Sequence, residues 1–281
     1  MPKIFQVYTK AMEEGRKHDV TSNDLRILIA KDNGFDLPID VLLRKDEEMR
    51  NNELFNAQFE RLCAGEPVEY IIQEATFLQH KIYVDPAVLI PRGETEELVA
   101  NITEMIPDYY DPRNYLVCAD IGTGSGAIAL ALSSFFPNWI LFANDISKPA
   151  LEVAKKNFET YGSKVETYLG PSLQPYIENK IQLDIIVSNP PYILNHDEVQ
   201  DSVKNFEPHT ALYLDKEASV YEDIFRDYKK VKKESLLMFF EIGYDLEDYL
   251  KELMEKYLEN YEFEFIKDLN GLTRFLVVNC H

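Results

Sequence analysis

The stretch YLVCADIGTGSGAIALAL, Tyr115 to Leu132, constrains the fold of this chain more than any other. A short apolar run rich in strand formers meets glycine at three alternate positions, Gly122, Gly124 and Gly126, and an unbroken run of helix formers follows at once. A strand that turns through glycine straight into a helix begins a β-then-α alternation. The chain keeps that alternation. WILFAND, KVETYLG, LDIIVSN and SLLMFFEIG read as strands, and KPALEVAKKNFETYG, VYEDIFRDYKKVKK and DLEDYLKELMEKYLENY read as helices. In the first of these helices Pro149 sits near the first turn and Gly162 lies past the end. EFEFIKDLNGLTRFLVVNC reads as two strands around Asn270-Gly271, a hairpin signal. The expected fold is α/β: a doubly wound, mostly parallel seven-stranded sheet with a C-terminal antiparallel hairpin.

The first 75 residues differ. IFQVYTKAMEEG, TSNDLRILIAKDNG, LPIDVLLRKDEEM and NNELFNAQFERLCAG carry apolar residues near helical spacing, with stops expected at Gly15, Gly34 and Gly65 and N-cap candidates at Thr21 to Asn23. A small helical bundle over residues 1–75 is expected, serving substrate recognition, because nothing in it carries chemistry. Residues 76–92, TFLQHKIYVDPAVLIPR, read as a β-hairpin linker punctuated by Pro86 and Pro91. Residues 93–281 then form the catalytic domain.

Charge narrows the function. The net charge is −20, with −5 in residues 1–75 and −15 in residues 76–281, so nucleic acid is not an expected partner. Cys63, Cys118 and Cys280 are far apart in sequence and form no C-x-x-C, and the five histidines make no H-E-x-x-H, so nothing points to a metal. Residues 121–144 hold no charge over a length that could span a bilayer, but the glycines, Ser133, Ser134, Pro137 and Asn138 favour a turn, a helix and a strand. The N-terminal MPKIFQVYTKAMEEGRKHD is charged and lacks a long apolar core. A cytoplasmic protein without membrane contact is expected.

Three places carry chemistry. The first is DIGTGSG, Asp120 to Gly126, where glycine lets a ligand approach the main chain at the carboxyl edge of the sheet. Its G-x-G-x-G spacing differs from the G-x-G-x-x-G of dinucleotide binders, which would need glycine at Ala127. The second is Asp145, at the end of the next strand. It can accept hydrogen bonds from both hydroxyls of a ribose, or simply open the helix that follows. An adenosyl cofactor is expected, either S-adenosylmethionine or a nicotinamide dinucleotide. The third is Asn189-Pro190-Pro191-Tyr192, after a strand that looks buried. Two prolines stiffen the turn, so the Asn189 side-chain oxygen and the Pro190 carbonyl can hold position as acceptors. Tyr192 can cover one face of a flat group. This arrangement suits a planar –C–NH₂ held in line with a methyl donor on the glycine loop. His196 is near in sequence, but a lone loop histidine reads as solvent-facing.

Asn-Pro-Pro-aromatic after a G-x-G-x-G loop resembles class I methyltransferases that modify nitrogens conjugated to a planar system. VLIPRGETEELV, NDISKPALEVAKKN, FEPHTAL, FFEIG and KDLNGLTRFLVV narrow the resemblance to the HemK family of release-factor glutamine N5-methyltransferases. The resemblance implies S-adenosylmethionine as cofactor and S-adenosylhomocysteine as product. It implies class I peptide-chain release factors as protein substrate, methylated on the glutamine of their Gly-Gly-Gln loop, and a monomeric enzyme. On that basis Asp120, Gly122, Thr123, Gly124, Ser125, Gly126, Asp145, Leu173 and Asn189 are expected around the cofactor. Asn189, Pro190, Pro191 and Tyr192 are expected around the substrate. The alternative is a nucleic-acid amino-methyltransferase acting on adenine N6 or cytosine N4, against which the acidic charge counts. The chain departs from the family at Gly93, in place of a proline; at Pro171, in place of an acid near the adenine, leaving Leu173 as its apolar cover; in YLDKEASVY, in place of a glycine-rich loop; and at Leu246, in place of a glutamine. The family pattern also suggests that PRGETEE closes over the cofactor through Arg92 or Thr95, although its acids could simply open a helix.

Overall fold

A computed structural model describes residues 1–111, 113–194, 201–215 and 219–281. His196 and the Lys216–Ala218 part of YLDKEASVY lie outside the described residues. Contacts divide the chain into two compact units, one of residues 1–74 with Val199–Phe206 and one of Ala75–Glu198 with Glu207–His281.

The first unit contains α1 (Ile4–Gly15), α2 (Ser22–Asn33), α3 (Asp40–Leu43), α4 (Asn52–Cys63) and α5 (Val68–Ile72) around a core that includes Ile4, Leu25, Leu28, Ile29 and Phe55. Of the N-cap candidates, Thr21 is the one used. Its hydroxyl accepts from Asp24 N, and its own N–H donates to the Asp24 carboxylate, a reciprocal capping pair. LPIDVLLRKDEEM yields only the single turn of α3, short of the expected helix. The carbonyls of Lys45 and Glu47 instead accept from Phe5 N and Ile4 N, two unpaired donors at the start of α1. Capping one helix therefore draws that segment out of another.

The second unit opens with a hairpin of β1 (Ala75–Phe77) and β2 (His80–Ile82), then α6 (Gly93–Tyr109). The alternation follows as β3 (Val117–Ile121), α7 (Ala127–Phe135), β4 (Ile140–Asp145), α8 (Lys148–Thr160), β5 (Glu166–Leu169), α9 (Gln174–Glu178) and β6 (Leu183–Ser188). α10 (Asp201–Phe206) belongs to the first unit. The second unit ends with α11 (His209–Leu212), α12 (Val220–Asp227), β7 (Lys232–Glu241), α13 (Glu247–Tyr257), β8 (Tyr261–Lys267) and β9 (Thr273–Cys280).

The sheet order is β5-β4-β3-β6-β7-β9-β8, parallel except for β9, which runs antiparallel between β7 and β8. This is the expected doubly wound sheet. Its central strands are buried on both faces, as helix-covered parallel strands must be. Ala119, Ile121, Ile186, Met238 and Phe240 pack under α9, α12 and α13, while α6, α7 and α8 pack against strands β3, β4, β5 and β7. The charge-free run 121–144 divides into the end of β3, the glycine loop, α7 and most of β4. No described helix is long and apolar enough to cross a membrane.

The strand order reverses between β3 and β6, and the register there places the site. Ile121 of β3 pairs with Asn144 of β4 on one side and Ser188 of β6 on the other, and Ser188 pairs with Phe240 of β7. The next residues along, Asp145, Gly122, Asn189 and Glu241, therefore form one row across the carboxyl edge. Ser188 Oγ donates to the Ile121 carbonyl at 2.7 Å and ties the two central strands at that level.

At the far end of the glycine loop, Gly126 has φ +81°, and an added Cβ would stand 2.8 Å from the Phe158 ring of α8. Gly126→Ala is expected to lower the unfolding free energy by about 1–3 kcal/mol through backbone strain alone, with the Phe158 clash adding to it. An unchanged denaturation midpoint would show that the loop does not need this packing.

Candidate active site

An open cavity of about 330 Å³ lies at the carboxyl edge, lined among others by Thr95, Gly122, Gly124, Asp145, Asn189 and Pro190. Its size is that of a small-molecule site. Thr123, Ser125 and Pro191 also line it. The sheet therefore brings the glycine loop, the acid that ends β4 and the Asn-Pro-Pro turn to one space.

Each part is held from beneath. Gly122 N and Thr123 N both donate to the Asn144 carbonyl at 2.9 Å. Gly122 and Gly124 take φ of +72° and +54°, and a Cβ on either would meet nothing within 4 Å. The loop thus presents bare backbone to an approaching ligand. Asp145 Oδ2 accepts from Gly124 N at 2.9 Å, and its Oδ1 accepts from Ser147 N at 2.8 Å. Burial raises its pKa, and those backbone hydrogen bonds oppose the rise. Each carboxylate oxygen keeps a further acceptor site for a ligand hydroxyl. The helix-opening role falls to Ser147, whose hydroxyl accepts from Ala150 N. Asp145 is therefore left with the turn, through Gly124 N and Ser147 N, and with acceptor sites open to a ligand.

Asp120 and Gly126 stand behind the loop and do not line the cavity. Asp120 is fully buried, and its Oδ2 accepts from Thr123 Oγ1 at 2.6 Å and Ala129 N at 3.2 Å. Burial pushes its carboxyl up to about 7. Leu173 departs from its expected place. It is 1% exposed and packs in the core beneath the sheet with Phe142 and Tyr176. Ser172 takes φ +44°, and Gly170, Pro171 and Ser172 line the cavity instead. The apolar cover on this side falls to Pro171 and Ile146. Asn144 holds that turn by donating to the carbonyls of Gly170 and Ser172.

The Asn-Pro-Pro-Tyr turn is held by groups distant in sequence. Asn189 Nδ2 donates to Thr95 Oγ1 at 3.1 Å, and Thr95 Oγ1 donates to Glu241 Oε2 at 2.7 Å. Tyr192 OH donates to Glu241 Oε1 at 3.2 Å. Tyr192 does not itself line the cavity; its ring lies beside the Arg274 guanidinium, 5.8 Å away. Burial and the neighbouring Glu241 push the Tyr192 phenol pKa upward. Among the described residues no donor reaches Asn189 Oδ1 or the Pro190 carbonyl, so both expected acceptors are free for a ligand.

PRGETEE contributes differently at each end. Thr95 lines the cavity. Arg92 instead pairs with Glu207, whose other oxygen accepts from Ile90 N. Glu207 is 3% exposed and opens the segment carrying Pro208, Thr210 and Ala211, all on the cavity wall. Glu207→Gln is expected to cost about 1–2 kcal/mol, the difference between a charge-assisted and a neutral hydrogen bond, read from the denaturation midpoint. An unaltered midpoint would show the clasp to be idle.

Glu241 and Glu207 sit inside FFEIG and FEPHTAL, two of the segments that carry the family resemblance, but nothing in their composition or spacing marks either acid itself. Only the strand register and the buried acid itself reveal them.

The donor set fits S-adenosylmethionine: bare glycine backbone, a carboxylate with spare acceptor capacity, and a largely apolar wall of adenosyl size. Residues 103–230 match a family model described as Methyltransferase small domain. The chain is similar to the release factor glutamine methyltransferase of Bacillus subtilis (strain 168), 35% identical over 274 residues, covering 96% of this chain and 93% of that one. It is 40% identical over 225 residues to the protein of the same name from Streptococcus pneumoniae, covering 79% and 77%. With that of Enterococcus faecalis it shares 35% identity over 241 residues, covering 84% of each. Among solved structures, the N-terminal domain of human METTL16 in complex with SAH has a TM-score of 0.51 at 14% identity, covering 99% of this chain and 94% of that one. That likeness shows the fold.

Proposed function

This chain belongs to the release factor glutamine methyltransferase family, and from that premise we propose that it methylates the side-chain amide nitrogen (N5) of the glutamine in the Gly-Gly-Gln loop of class I release factors. S-adenosylmethionine supplies an electrophilic methyl group when bound. Gly122, Gly124 and Asp145 would hold it.

One observation carries the reading. The glycine loop and the Asn-Pro-Pro turn leave adjacent strands at one level, set by the Ile121 and Ser188 pairing, and both line one cavity. Acceptor nitrogen and methyl group would therefore meet without large motion.

An amide nitrogen is a poor nucleophile because its lone pair is delocalised into the carbonyl. Asn189 Oδ1 and the Pro190 carbonyl would each accept one of its N–H bonds. Holding both fixes the nitrogen's orientation and removes rotational freedom before reaction. The same two oxygen dipoles favour positive charge developing on nitrogen. One N–H proton would leave along these acceptors to water as the nitrogen gains the methyl group, whose bond to sulfur breaks and leaves S-adenosylhomocysteine. Pro191 stiffens the turn, and Tyr192, held by Glu241 and Arg274, braces it from behind.

The helical unit is proposed to recognise the release factor, the enzyme acting as a cytoplasmic monomer. Every described residue lining the cavity comes from one unit of one chain, which supports a self-sufficient site.

The test is acceptor choice. The protein is incubated with methyl-labelled S-adenosylmethionine and, separately, a release factor, a set of oligonucleotides, or no acceptor. Label is expected on the release factor alone. Label on bases would move the protein to the nucleic-acid amino-methyltransferases.

A further inference from the structure

Glu241 is 0% exposed, at the end of a central strand, in the same row as Asn189. A buried carboxylate is costly unless it is paired and hydrogen-bonded. Its two oxygens accept from Thr95 and Tyr192, and Thr95 in turn accepts from Asn189. The Thr95 hydroxyl has one proton. If that proton goes to Glu241, Thr95 can offer Asn189 only a lone pair, so the Asn189 NH₂ must face Thr95. Asn189 Oδ1 is then the end left for the cavity.

We propose that Thr95 and Glu241 are positioning residues that set which end of the Asn189 amide faces the acceptor nitrogen, and that protonation of Glu241 releases this setting. The proposal deepens the reading above and rests on it for its catalytic consequence. With Glu241 anionic, Asn189 presents an acceptor to the substrate N–H. With Glu241 protonated, the acid can donate to Thr95, and the Thr95 hydroxyl can turn to donate to Asn189 Oδ1. The amide then flips and presents N–H to N–H, which cannot hold a primary amide.

Several charged and titratable groups face Glu241. Thr95 and Glu94 come from α6, Tyr192 from the turn after β6, and Arg274 from β9. Tyr221 of α12 donates to the Glu241 backbone carbonyl at 2.8 Å. Burial pushes the Glu241 carboxyl up to about 7, with Glu94 adding to the rise and Arg274 and the two hydroxyls opposing it. The sign follows directly. The working anion is present above that pH and is lost as pH falls through it.

Two variants and one spectrum test this. Thr95→Val is expected to lower kcat, measured at saturating cofactor, about 10–100-fold, because Asn189 NH₂ and Glu241 each lose a partner; Thr95→Ser restores the rate. Glu241→Gln is expected to lower the rate about fivefold at pH 8, since either end of the new amide can face Thr95, and to abolish the acid limb near pH 7. In ¹⁵N-labelled protein without substrate, the Asn189 side-chain NH₂ signals are expected to titrate with a midpoint near 7, and not to titrate in Glu241→Gln. A Thr95→Val enzyme at wild-type rate, an acid limb kept in Glu241→Gln, or an Asn189 signal insensitive to pH would each overturn the relay. A wild-type protein that methylates no glutamine would instead overturn the proposed function, while the Asn189 titration would still decide the relay.

Discussion

Asn189→Ala is expected to lower the rate of methyl transfer about 10²–10³-fold, the usual cost of removing one preorganised polar group from a transition state, while cofactor affinity stays within about twofold. The split follows from where the side chain points. Its Nδ2 is spent on Thr95, and no described residue donates to its Oδ1, so truncation removes an acceptor from the substrate side only. The glycine loop and Asp145 have no hydrogen bond to Asn189 and keep their own tethers. The Pro190 carbonyl survives as a single acceptor, so the amide nitrogen would still bind but would rotate. Single-turnover kinetics with isothermal titration of the cofactor separate the two quantities. A mutant near wild-type rate would remove the Asn-Pro-Pro turn from the chemistry.

Asp145→Ala is expected to weaken cofactor binding about 10–100-fold, consistent with the loss of one charge-assisted hydrogen bond, with a smaller effect on the rate at saturating cofactor. Two losses act together. The carboxylate offers acceptor sites to a ribose, and its Oδ2 also fixes Gly124 N, so the loop loses a tether as the ligand loses a partner. Asp145 is half-buried, and its removal leaves the N–H groups of Gly124 and Ser147 without that partner, both at the cavity wall where water can satisfy them. Thermal unfolding without cofactor is therefore expected to change little compared with Gly126→Ala. If cofactor affinity were unchanged, the ribose assignment would be wrong and Asp145 would serve only the turn.

The sheet is legible because its signals are local: the central strands are apolar runs of strand formers, and glycine, Asn-Gly or proline marks most of the turns. The glycine loop, Asp145 and the Asn-Pro-Pro turn were legible for the same reason, each being a short motif at a strand end. Glu241 was not. Its role depends on β7 pairing with β6 so that Phe240 stands beside Ser188, a register with no trace in a window of sequence. Glu207 is paired across more than a hundred residues with Arg92, and nothing near it signals burial. Leu173 was misplaced because the positive φ of Ser172 sets the turn after β5, placing Leu173 under the sheet. α3 is shorter than its helical pattern because the carbonyls of Lys45 and Glu47 accept from the first N–H groups of α1.

The central claim is that two fixed oxygens in this cavity present a primary amide nitrogen to a methyl donor. Fragmentation mass spectrometry of a release factor, after reaction with labelled S-adenosylmethionine, tests it most directly. The label is expected on the side-chain nitrogen of the Gly-Gly-Gln glutamine, and to vanish when that glutamine is replaced by glutamate. Label on a backbone nitrogen, on another side chain, or retained in the glutamate variant would contradict it.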